Sequence, residues 1–195
     1  MIFEVSLKGD FMQANIYSDV FIKYKKGNKL LFNRSSRSLK PLLQLIESQE
    51  HRTLVLWAFK FVRELRNSIQ DFFPNDERID KAVSLCESWA KGDIKMPRAK
   101  KAILEVHAMA KETPNPIVIA KLHAIGQGLS TIHVKTHAIG LLFYELTAIV
   151  LENGIDRFEG FTTKRINEYM DIVNYPPLNR SGGFLSKPMY PPVTQ

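Results

Sequence analysis

The sequence lacks most of the features that would tie it quickly to one chemistry. A single cysteine, Cys86, in 195 residues excludes an internal disulfide. It stands at helical spacing with Ile79, Val83 and Ala90, which predicts a small packed residue rather than a reactive thiol. No apolar run reaches the roughly 18 residues that a bilayer span requires. Residues 138–150 come nearest, and Glu145 interrupts them. The opening MIFEVSLKGDF has acids early and no basic-then-apolar order, so no secretion signal is predicted and the chain is expected to be soluble and cytoplasmic. A Gly-x-Ser-x-Gly elbow is missing, and so are the repeated Glu-x-x-His pairs of a di-iron bundle. Gly126-Gln127-Gly128 has neither the later glycine nor the preceding strand of a nucleotide loop.

What is present points to helices. An apolar fraction of 45% with 24% charged residues suits a globular chain large enough to bury a substantial core. The most informative stretch is residues 123–150, HAIGQGLSTIHVKTHAIGLLFYELTAIV. Unless Gly126 and Gly128 interrupt it, it reads as one long helix. Gly126, Ser130, His133, His137, Gly140 and Tyr144 then recur at steps of four and three along one stripe. Ile125, Leu129, Ile132, Ile139, Leu142 and Leu146 cover the other sides, and a helix apolar nearly all round belongs in a core.

Other elements follow from period and punctuation. Ser38 is placed to cap a short helix through Lys40, Leu42, Leu43 and Ile46. A second helix, around residues 51–72, carries Leu54, Ala58, Phe61, Leu65 and Ile69 on one face. Pro74-Asn75 ends it, with Asn75 expected to cap a third helix that stops near Lys91-Gly92. Met96-Pro97 opens a fourth helix, the fifth begins near Ile117, and a last one covers residues 162–173. Ahead of these, Phe3, Val5 and Leu7 alternate with polar residues, and residues 20–24 and 30–32 are β-prone across a Lys25-Lys26-Gly27-Asn28 turn. The fold predicted is therefore mainly α. It is a single-domain helical bundle round a long buried central helix, with a small N-terminal β-hairpin or meander and an extended Pro-rich C-terminal tail. The divisions are a basic segment over residues 1–37, a helical domain over 38–175 and the tail over 176–195. That tail holds five of the ten prolines.

The formal charge of +7 is uneven. Residues 1–40 carry eight Lys and Arg against Glu4, Asp10 and Asp19, a net +5 that reads first as a solvated basic face and second as one that would attract an acidic protein surface or a nucleic acid. Interleaved Phe21, Tyr24 and Phe32 lack the ordered aromatic motif of known RNA-binding sheets, so nucleic acid is the weaker of the two partners.

Two readings compete for the histidines. His133 and His137, four apart, could share a metal with His107 or His123, or with Glu145, and the alternative function is then a metal- or small-ligand-binding helical protein, an enzyme among its forms. However, His-Val-Lys-Thr-His lacks the glutamate of the zinc-peptidase helix. The structural reading is favoured: Ser130, His133, His137 and Tyr144, with Gln127 and Thr136 nearby, form a polar network that ties the central helix to its neighbours. No cofactor and no catalytic residue is implied.

Residues 51–150 also resemble a known family. Leu56-Trp57-Ala58, Phe73-Pro74-Asn75-Asp76-Glu77-Arg78, Cys86-Glu87-Ser88-Trp89-Ala90-Lys91-Gly92-Asp93-Ile94 and Thr131-Ile132-His133-Val134-Lys135-Thr136-His137-Ala138-Ile139-Gly140 occur in order. Together they are similar to the type-five-like immunity proteins of bacterial toxin systems. The resemblance implies an all-helical, non-enzymatic domain that binds and neutralises a cognate toxin. A homodimer is compatible with it. The basic charge, with a pI of about 9.5, argues against a phosphate-binding nuclease as that toxin, because inhibitors of such enzymes are commonly acidic.

Overall fold

The computed structural model describes residues 15–174. Among them are eight α-helices and no strand: α1 Ser18–Lys25, α2 Lys40–Ser48, α3 His51–Ser68, α4 Arg78–Ala90, α5 Met96–Met109, α6 Pro116–Ser130, α7 His137–Asn153 and α8 Phe158–Asn174. The strand expected at residues 20–24 is instead part of α1. Val20 is fully buried there and Phe21 stacks edge-on against Phe158 at 5.4 Å, so tertiary packing overrides the β-prone composition. Residues 30–32 are irregular, with Leu31 and Phe32 buried. The expected strand around Phe3 to Leu7 and the proline-rich tail lie outside the described residues.

The long central helix is also corrected. The chain is helical straight through Gly126 and Gly128 but breaks at residues 131–136, giving two helices, α6 and α7, that pack along each other as a hairpin. The break contains neither glycine nor proline. It is built of short turns, with Thr131, Ile132 and His133 donating back to the carbonyls three residues earlier. Asn115 starts α6: its side-chain oxygen accepts from the N–H groups of Ile117 and Val118, and Pro116 fills the first position.

α3 lies across this hairpin, with α5 against α6 and α8 against α7. The face expected on α3 is the one buried: Leu54, Ala58, Phe61 and Leu65 are each no more than 3% exposed. Gly128 sits where α6 meets both neighbours, and a Cβ there would overlap Val62 and Leu141. Ser38 and Asn75 do not act as caps. Ser38 is buried with its hydroxyl unpartnered, and Asn75 takes a left-handed turn at φ 66° while Asp76 accepts from the Arg78 N–H. Cys86 is fully buried on α4, and burial pushes its thiol up to about 12, in keeping with a packed residue. No described helix is long and apolar enough to cross a membrane.

Candidate functional site

All five histidines of the chain fall into one row along the α6–α7 hairpin. His107 on α5 lies over the bare Cα of Gly126, where any side chain would overlap its ring. Its Nδ1 is 3.2 Å from Nδ1 of His123, so the two neutral rings must hold opposite tautomers, one donating to the other. The His123 ring lies 5.0 Å from that of Tyr144. On the other side, His137 Nδ1 donates to Gln127 Oε1 at 2.7 Å, and Gln127 in turn fills the space left by Gly140. The His133 ring is 5.2 Å from that of His137, with its own Nδ1 buried and unpartnered. His51 Nε2 closes the row by donating to the Thr131 carbonyl at 2.6 Å.

The site residues expected from sequence are thus redistributed. His133 and His137 are not two rungs of one helix: one belongs to the turn, the other opens α7. Tyr144 faces His123 rather than His137. Ser130 is buried and its backbone carbonyl receives the N–H of His133 and of Val134, but no side-chain bond links it to the rings. Gln127 is the anticipated partner that the structure does use. Among the described residues, no three His, Cys, Asp or Glu side chains group so as to hold a metal ion, and Glu145 is turned to other partners.

Burial lowers the pKa of His107 to about 4, with His123 and His137 adding to the effect. Burial also lowers His123, His133 and His137. A histidine whose folded pKa is depressed contributes stability that is whole above its unfolded pKa and lost as pH falls toward the folded one. Stability should therefore decline from about pH 6.5 downward. Chemical denaturation of the unaltered protein and of His107→Gln between pH 7 and 5 checks this. The decline should be shallower in the variant, and equal slopes would remove His107 as its source.

A second buried polar cluster has no counterpart in the sequence reading. Glu145, 4% exposed on α7, accepts from Arg165 of α8 at 2.5 and 2.8 Å and from the Tyr169 hydroxyl. Arg165 also reaches Glu64 and Glu168, and its guanidinium lies 4.5 Å from the Phe61 ring centre. Burial pushes the Glu145 carboxyl up while Arg165 and Tyr169 pull it back; Glu145 holds Arg165 firmly in its charged form. The Trp57 indole N–H donates to the Tyr169 carbonyl at 3.1 Å, joining α3 to α8 beside the cluster. The only sequence signal was a carboxylate inside an apolar run, with an arginine twenty residues on.

A groove opens between α1 and the α6–α7 hairpin. It encloses about 760 Å³, with walls from Tyr24, Leu30, Ile119, Ala120 and Leu151, and it meets His123 and Tyr144. Among the described residues, its lining includes Lys29 and no acidic residue.

The half-buried histidines thus meet one another, Gln127, Tyr144 and the chain's own backbone, and the groove beside α1 sets Lys29 among mainly apolar walls. The chain belongs to the "Imm-5 like putative immunity protein" family, whose model matches residues 44–172, from within α2 to within α8. No curated protein and no solved structure matches it.

Proposed function

We propose that this protein is a non-enzymatic immunity protein that neutralises a cognate bacterial toxin in the cytoplasm by binding it. The family membership carries this reading. The side chains support it: several enclosed or half-buried polar groups are engaged with one another, His107 with His123, His137 with Gln127, and Glu145 with Arg165 and Tyr169. In this account the imidazoles are struts. They satisfy one another's half-buried donors and acceptors and those of Gln127, and they hold α5, α6 and α7 in register. Recognition is left to the exterior.

The experiment is co-expression with each toxin of the source cell's repertoire in turn, with growth as the readout and calorimetry on the purified pair that restores it. A 1:1 complex and restored growth are expected with one of them. A repertoire in which every toxin stays active and unbound would sink the proposal.

A further inference from the structure

The groove between α1 and the hairpin has the makings of a docking surface. At about 760 Å³ it lies within the range of sites that take a bulky side chain or a small ligand. Polar residues sit among its apolar walls, Tyr144 and His123 on the hairpin side. The Tyr144 hydroxyl has no hydrogen-bond partner among the described residues, and His123 is tied to His107 through Nδ1 alone. Gly27, at φ +69°, turns the chain after α1 so that residues 28–31 form the near wall.

Charge says what should fill it. No carboxylate among the described residues lines the groove, while Lys29 does, and Lys25 and Lys26 are exposed beside it. None of these three lysines has an ion pair among the described residues, whereas Arg34, Arg63, Arg66 and Arg78 each have one. Tyr24, which lines the groove, adds apolar surface there and is 42% exposed. The two walls also differ in origin. Pro116, Ile119, Ala120, Tyr144 and Leu151 lie inside the stretch that matches the family, and α1 with residues 27–31 lies outside it. One wall thus lies within the family stretch and the other outside it, an arrangement able to separate one toxin from another.

Building on the immunity reading above, we infer that this groove is the toxin-binding surface, and that its occupant is an apolar or aromatic side chain carried on an acidic segment of the toxin. The lysines steer that segment, and the buried anchor holds it.

The test measures toxin binding by calorimetry at two salt concentrations. The proteins compared are the unaltered chain, Ala120→Trp, the triple variant Lys25→Glu/Lys26→Glu/Lys29→Glu, and Leu104→Asp on α5, which does not line the groove. Filling the groove with Ala120→Trp should weaken binding about a hundredfold. The triple reversal, which leaves the core untouched, should weaken it at least tenfold and remove most of its salt dependence. Leu104→Asp should bind as the unaltered chain does. Groove variants that bind within threefold of the unaltered chain would overturn the assignment while leaving the immunity reading intact. Failure of the unaltered chain itself would bring down the immunity reading, and this inference with it. Retention of duplex DNA or RNA by the same three lysines at physiological salt, without toxin binding, would reassign the face to nucleic acid.

Discussion

Glu145→Ala should destabilise the fold by about 3–5 kcal/mol, measured by urea denaturation at pH 7. Removing the carboxylate leaves the Arg165 guanidinium, whose side chain is 15% exposed, without its buried partner. It also leaves the Tyr169 hydroxyl, fully enclosed, with no acceptor. Glu64 and Glu168 remain near Arg165 but are themselves partly exposed, so they replace only part of the loss. Glu145→Gln, which keeps an oxygen for Tyr169, should cost less. The combined change Glu145→Leu with Arg165→Met removes both charges and should cost less than Glu145→Ala alone, because no lone charge is then buried. If Glu145→Ala cost under about 1 kcal/mol, the cluster would not be holding α7 to α8.

Trp57→Ala should be of similar size, about 3–5 kcal/mol. The indole is fully buried, its ring centre 5.1 Å from that of Phe61 and 5.3 Å from that of Tyr169, and its N–H is the donor to the Tyr169 carbonyl. Truncation opens a large cavity where α3 meets α8 and also strands that carbonyl. Trp57→Phe keeps a ring in place and should recover more than half of the loss. Because Trp57 and Glu145 both act through Tyr169, their effects should not add, and a double-mutant cycle would show the coupling. Thermal melts of the four proteins supply the same comparison.

These two sites mark where the sequence was legible and where it was not. The buried face of α3 could be read because Leu54, Ala58, Phe61 and Leu65 repeat at helical period against charged neighbours such as Arg63 and Glu64. Met96-Pro97 at the start of α5 was equally plain. The α6–α7 boundary was hidden for the opposite reason. Both helices are apolar nearly all round, so the pattern has no phase to lose when the chain turns. The turn at residues 131–136 is made of β-branched and basic residues instead of the usual breakers. Gly126, Gly128 and Gly140, which looked like interruptions or a helix-packing stripe, instead make room for side chains: His107, then Val62 with Leu141, then Gln127. At the N-terminus, Val20 and Phe21 have strand-like preferences, and only their burial against Phe158 and its surroundings makes them helical. Glu145, Arg165 and Tyr169 could not be linked in advance, since nothing local tells which charge in one helix will meet which in another.

The histidine row shows the same division. That buried imidazoles would need partners followed from chemistry alone, and Gln127 was within reach of that argument. The pairing of His107 with His123 depends on α5 crossing α6 at Gly126, a tertiary fact with no sequence period.

Under the proposed function His133 and His137 serve the fold and not the binding of toxin or metal. Calorimetry of the cognate toxin against His133→Gln/His137→Gln, at a temperature where circular dichroism shows the variant folded, addresses this most directly. Binding within threefold of the unaltered protein, alongside a lower melting temperature, is the predicted result. A hundredfold loss of affinity from a fully folded variant, or stoichiometric zinc or iron in the unaltered protein that disappears with the two rings, would contradict it.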